Sequence, residues 1–117
     1  FSAQASAKGI HVVVLGAGPR LRDRGRCLPE WFRPATSLHA CERSLQTQLT
    51  HAREMNAALS ADLSPNITFI DPIPALCTAG CSLNSMRHLL FDDDHLSAQG
   101  AKQLLPPVLA KLSRVQS

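Results

Sequence analysis

His11-Val12-Val13-Val14-Leu15-Gly16 is a short aliphatic run, ended at once by Ala17-Gly18-Pro19. A strand with one wet face alternates apolar and polar residues, whereas this run is apolar on both faces, as expected for a buried strand of a parallel sheet. A second run of the same kind, Asn66-Ile67-Thr68-Phe69-Ile70-Asp71, lies further along and is broken by Pro72 and Pro74. Between them, Leu38, Cys41, Leu45, Leu49, Ala52, Met55 and Leu59 recur at three- and four-residue intervals. This spacing predicts a long amphipathic helix, capped by Thr36 or Ser37 and closed off by Pro65.

Outward from this core, a helix is expected before His11 and a long loop from Gly18 to Pro34. After the second strand come a loop carrying Cys77 and Cys81, a short extended stretch near His88 to Phe91, and a final helix starting at Ser97. That helix carries Ala101, Leu104, Leu105, Val108, Leu109 and Leu112, and Pro106-Pro107 predicts a kink or two abutting helices. Alternating strand and helix with buried strands is the grammar of a doubly wound α/β fold. Two parallel strands leave both edges and much apolar face uncovered, so further strands are expected from upstream sequence, another chain or a swapped copy. With 117 residues and no internal repeat or boundary, residues 1–117 are expected to form the C-terminal part of one larger domain.

Composition narrows the function classes. Hydrophobic residues at 44% and charged residues at 18% describe a globular chain. No stretch approaches the roughly 20 apolar residues that span a bilayer, and Phe1-Ser2-Ala3-Gln4-Ala5 lacks an initiator Met, so any targeting segment is expected upstream. The net charge of +3 is concentrated in Arg20, Arg22, Arg24 and Arg26, with Arg33 shortly after. Guanidinium forks suit phosphate- or carboxylate-bearing polymers; the alternative is a solvated basic loop. Four Phe, one Trp and no Tyr make a poor stacking platform, and nucleic acid is excluded as a partner. Gly16-Ala17-Gly18 lacks the third glycine of a phosphate-cradling turn and reads as a tight loop. Trp31 is expected to cover the core, and His11, His39 and His51 to pack or lie at the surface.

Four cysteines form two local pairs, Cys27 with Cys41 and Cys77 with Cys81. An even count in a small chain suggests two disulfides in this simplest of three connectivities, and hence a compartment outside the cytoplasm. The rival is zinc at Cys77-x3-Cys81 with His88 and His95, a spacing that matches no common finger.

Chemistry concentrates in Phe91-Asp92-Asp93-Asp94-His95-Leu96-Ser97-Ala98-Gln99-Gly100, which places three of nine acidic residues beside one histidine. Adjacent carboxylates repel unless cations or hydrogen bonds absorb their charge. An aspartate three residues before a histidine can, in a tight turn, bond one ring nitrogen and leave the other to act as a base. Asp93 or Asp94 could take that part instead of Asp92, and Asp92, Asp94, His95 and His88 could alternatively ligate a divalent ion.

Asp92-x-x-His95-Leu96-Ser97-x-x-Gly100-Ala101, preceded by the two-cysteine loop and Ile70-Asp71-Pro72, resembles the end of the SGNH hydrolase domain fused to acyltransferase-3 membrane proteins. Gly9 to Gly16 with Pro19 resembles the penultimate strand of that domain. The resemblance implies a partial flavodoxin-like, three-layer α/β/α fold and serine-based acyl transfer, or ester hydrolysis, on cell-surface polysaccharide outside the cytoplasm. It implies His95 as general base, Asp92 as its orienting partner, and no cofactor beyond the acyl donor. The implied partners are the upstream half of the domain, a membrane acyltransferase domain and a glycan acceptor. The family's Gly-Asp-Ser nucleophile block has no counterpart in residues 1–117, so the chain alone is expected to be inactive.

Overall fold

A computed structural model describes residues 9–116. The element order is β1 (Val12–Leu15), α1 (Arg24–Cys27), α2 (Ala35–Ser60), β2 (Ile67–Ile70), α3 (Ile73–Leu76), α4 (Leu83–Leu89) and α5 (Ala98–Gln116). The helix expected before His11 falls outside the described residues.

β1 and β2 pair in parallel with Val12 opposite Ile67 and Leu15 opposite Ile70. The ladder is extended at both ends, where Val12 N–H donates to Asn66 O and Gly16 N–H donates to Ile70 O, each at 2.8 Å. Among the described residues the sheet has these two strands only. Most of their side chains are therefore half-buried rather than sealed on both faces; Ile70 is buried, and Leu15 is 52% exposed. The arrangement is compatible with part of an α/β domain.

The core lies where the helices meet. Leu21, Leu45, Leu49, Ile73, Leu76, Met86, Leu89, Leu90 and Leu104 are all buried in one cluster. α2 contributes Leu45, Leu49, Ala52 and Asn56 at the expected helical spacing. It begins after Pro34 with no side-chain cap, so neither Thr36 nor Ser37 plays the part expected of it, and it ends at Ser60, before Pro65. Asn56 is the buried polar residue of this set. Its Oδ1 accepts from Ala17 N–H at 2.7 Å, and its Nδ2 donates to Ala17 O and to Asp71 Oδ1, each at 2.9 Å. A buried amide with its bonds made costs little, and unmade it costs much. Gly16 has no room for a side chain, since a Cβ there would collide with Asn56 and the Phe69 ring.

Three local expectations are corrected. Of the stretch near His88 to Phe91 expected to be extended, His88 and Leu89 end the helix Leu83–Leu89, and Leu90 forms a strand-like bridge, antiparallel to Leu96. The helix starts where Ser82 and Ser85 cap each other: Ser85 N–H donates to Ser82 Oγ at 3.2 Å and Ser82 N–H to Ser85 Oγ at 3.1 Å. Of the kink or two abutting helices expected at Pro106-Pro107, the second is overturned, since α5 runs as one helix through both prolines. Trp31 does not cover the core; it is 94% exposed and meets Phe32 edge to face.

Both cysteine pairs are bonded as the spacing suggested, Cys27 to Cys41 and Cys77 to Cys81. The first ties α1 to α2 and the second closes the turn between α3 and α4. With no free cysteine among the described residues, the zinc alternative loses its thiolates.

Candidate active site

The Asp-His segment is a loop closed at its base. Phe91 N–H donates to His95 O at 2.7 Å beneath the Leu90 and Leu96 bridge. Leu90 is buried, so the loop springs from a fixed point. Ser97 then joins the loop to both neighbouring helices. Its N–H donates to Leu89 O at 2.9 Å, its hydroxyl donates to His88 O, and its Oγ accepts from Gly100 N–H at 3.0 Å, which makes it the N-cap of α5. Gly100 permits this close seating, since a Cβ there would meet the Leu89 carbonyl.

Within the loop, Asp92 turns back on its own backbone. Its Oδ1 accepts from Asp94 N–H at 3.1 Å and from His95 N–H at 2.8 Å. Those bonds, with the His95 ring, hold the Asp92 carboxyl down at about 2. Both Asp92 oxygens lie 2.9 Å from His95 Nδ1, and Asp94 Oδ1 lies 3.0 Å from the same nitrogen. Carboxylates accept, so Nδ1 carries the proton and Nε2 carries the lone pair. The Asp92 hydrogen bond and then the charges of Asp92 and Asp94 raise the His95 pKa above its ordinary 6.5. The ring is 74% exposed, so Nε2 is accessible to a reactant from outside.

The arginines divide by their partners. Arg20 pairs with Asp94 at 3.4 Å. Arg22 joins Arg20, His51, Met55 and Asp93 around a hollow of about 430 Å³, and Arg26 is exposed. Arg24 is committed inward: its Nε and Nη2 donate to Met86 O and Arg87 O at 3.3 and 3.1 Å, at the end of α4. Arg33 likewise donates to Arg26 O and Gly25 O at 2.6 and 2.7 Å. The four-arginine surface expected from the spacing is thus not continuous, because Arg24 holds the backbone together. Sequence reasoning singled out neither Asn56, nor its bond to the Asp71 of the Ile70-Asp71-Pro72 motif, nor the separate part played by Asp93, since all depend on partners distant in sequence.

A larger hollow of about 940 Å³ lies along β2 between Asn56, Asp71, Gln103 and Lys111, and His95 does not line it. Asp92, Asp94 and His95 offer three donor atoms within 4.8 Å of one another; all three residues are exposed, and hydrogen bonding to the imidazole accounts for the arrangement. His88 is not among them. No helix among the described residues is long and apolar enough to cross a membrane.

The structure thus presents an exposed imidazole bonded to a carboxylate, on a loop that follows a parallel α/β unit. A family model described as "SGNH domain (fused to AT3 domains)" matches residues 2–110. The chain belongs to that family of acyltransferase-associated domains. Comparison with curated proteins and with solved structures finds no match.

Proposed function

We propose that this chain supplies the base half of an SGNH-type acyl-transfer or ester-hydrolysis site, with the serine nucleophile and oxyanion donors furnished by sequence upstream in the same domain. The observation that carries the reading is the 2.9 Å contact of both Asp92 oxygens with His95 Nδ1. In the reaction, the serine oxygen attacks the acyl carbonyl while His95 Nε2 takes the hydroxyl proton. The imidazolium then returns that proton to the leaving oxygen, and Asp92 stabilises the charged ring throughout. A second cycle delivers the acyl group to a sugar hydroxyl or to water.

Acetyl is the acyl group this reading assigns, and cell-surface polysaccharide the acceptor. The two disulfides support a periplasmic or other extracytoplasmic setting, where thiols oxidise, and fusion to AT3 domains within the family supports a linked membrane acyltransferase domain. Arg20, Arg22 and Arg26 are the proposed contacts for acidic groups of the glycan, beside the hollow that Arg20 and Arg22 line; Arg24 braces that surface from behind. The test is aryl acetate hydrolysis by the full-length protein and by its His95→Ala variant, alongside the isolated chain. A loss of about 10²-fold or more is expected for the variant, and no turnover for the isolated chain. Near-normal turnover without the imidazole removes His95 from the mechanism.

A further inference from the structure

The three consecutive aspartates point to three different partners. Asp92 serves His95, Asp94 lies between His95 and Arg20, and Asp93 turns back toward the start of α1. There its Oδ1 accepts from Arg24 N–H at 3.0 Å and its Oδ2 from Asp23 N–H at 3.3 Å. Its own carbonyl accepts from Leu21 N–H at 2.9 Å. Two successive amides converge on one carboxylate because Asp23 adopts φ 55°, the left-handed region, and it is the one non-glycine residue with positive φ among those described. A residue other than glycine is held there at a cost, which the surrounding bonds must offset.

The segment that receives Asp93 is itself anchored. Leu21 is fully buried, Arg24 is bonded to the last carbonyls of α4, and Cys27 is bridged to Cys41 on α2. The Asp-His loop is fixed at its base by the Leu90 and Leu96 bridge and by Ser97, and its tip meets residues 20–24 through the exposed Arg20 to Asp94 pair, the Leu21 to Asp93 backbone bond and the two Asp93 side-chain bonds. Asp93 therefore ties its tip to the arginine segment.

We propose that Asp93 is a positioning residue for the His95 base, holding the loop tip against residues 21–24 so that Asp92 and the imidazole stay in contact. The proposal rests on the reading of His95 as a base. Asp93 touches no reacting atom in it. The charged groups facing the imidazole are Asp92 and Asp94, with Arg20 behind Asp94; losing the two Asp93 side-chain bonds leaves that set held only by the Leu21 to Asp93 backbone bond and the exposed Arg20 to Asp94 pair, and so loosens it.

The experiment measures kcat/KM for an aryl acetate against pH in the full-length protein, for wild type, Asp93→Ala, Asp93→Asn, Asp93→Glu and His95→Ala. Asp93→Ala is expected to lower the plateau by about tenfold and to move the acid limb to lower pH, as the imidazole loses its carboxylate partner for part of the time. Asp93→Asn keeps an acceptor oxygen for Arg24 N–H and is expected to leave the limb in place. Asp93→Glu, with its carboxylate displaced by one methylene, is expected to fall between. The limb position is independent of the folded fraction, so a poorly folding alanine variant still reports, and the glutamate variant reports the same quantity more gently. A wild-type plateau and limb in both Asp93→Ala and Asp93→Glu, with His95→Ala inactive, overturns the proposal. An equal limb shift in Asp93→Asn and Asp93→Ala also overturns it, because charge rather than bracing would then be the cause. An active His95→Ala variant defeats the underlying base assignment instead.

Discussion

Both carboxylate oxygens of Asp92 stand 2.9 Å from Nδ1 of His95, while Asp94, the other carboxylate within reach, is shared with Arg20. The two aspartates are therefore unequal partners of one ring. Asp92→Ala in the full-length protein is expected to lower ester turnover by roughly 10- to 10³-fold, and Asp94→Ala by less, since an orienting carboxylate matters through the base it holds. Steady-state kinetics on the two variants checks the order, and a larger loss for Asp94→Ala reverses it.

The pH dependence has a definite sign. In the proposed mechanism the neutral imidazole is the base, and its pKa is raised from 6.5, first by the Asp92 hydrogen bond and then by the charges of Asp92 and Asp94. Turnover at low substrate should thus climb with pH through a limb centred above 6.5. Asp92, held at about 2, stays ionised across that range and adds no limb of its own. Asp92→Ala should move the limb downward. A wild-type limb below 6.5 contradicts the hydrogen-bonded pair.

Two bridges of unequal span should contribute unequally to stability. On the loop-entropy account, closing the 14-residue separation of Cys27 and Cys41 is worth about 3 kcal/mol and the four-residue separation of Cys77 and Cys81 about 2 kcal/mol. Thermal melts of the paired serine variants, Cys27→Ser with Cys41→Ser and Cys77→Ser with Cys81→Ser, should show the larger fall for the first. Melting curves that strong reductant leaves unchanged would count against both bridges.

Gly100→Ala tests how tightly α5 sits on α4. The added Cβ would enter the space of the Leu89 carbonyl, which is backbone and cannot rotate away. Overpacking of this kind costs about 1–3 kcal/mol, so the melting temperature should fall by several degrees, with the Asp-His loop disturbed because Ser97 is bonded to the same turn. A melt equal to wild type would mean that the helix pair opens freely.

The legible parts of the fold were those written in local periodicity. The two aliphatic runs became β1 and β2, and the Leu45, Leu49, Ala52 spacing became α2. The Asp92 and His95 contact was legible for the same reason, being three residues apart in a turn. α4 was missed because its seven residues include Arg87 and His88 beside a bridge-forming Leu90, although Ser82 and Ser85 carried its cap. α3 was missed because Pro72 and Pro74 read as breakers, while proline in the first turn of a helix forfeits nothing. Arg24 could not be sorted from Arg20 and Arg22 by spacing, since the carbonyls of Met86 and Arg87 that claim it lie 62 and 63 residues away. The Asn56 amide was invisible likewise: a single polar residue on an apolar helix face reveals no partner.

That amide has a consequence for how the unit can change. A helix resting on a sheet through aliphatic contacts alone can slide or rotate by small steps, each repacking for a modest cost. With one side chain engaging both polar groups of Ala17 and the Asp71 carboxylate, α2 has a favoured setting, and departing from it breaks three bonds at once, though Asp71 keeps the Ile73 N–H. Small sliding of α2 against the ends of the two strands is thereby opposed by bonds as well as by packing.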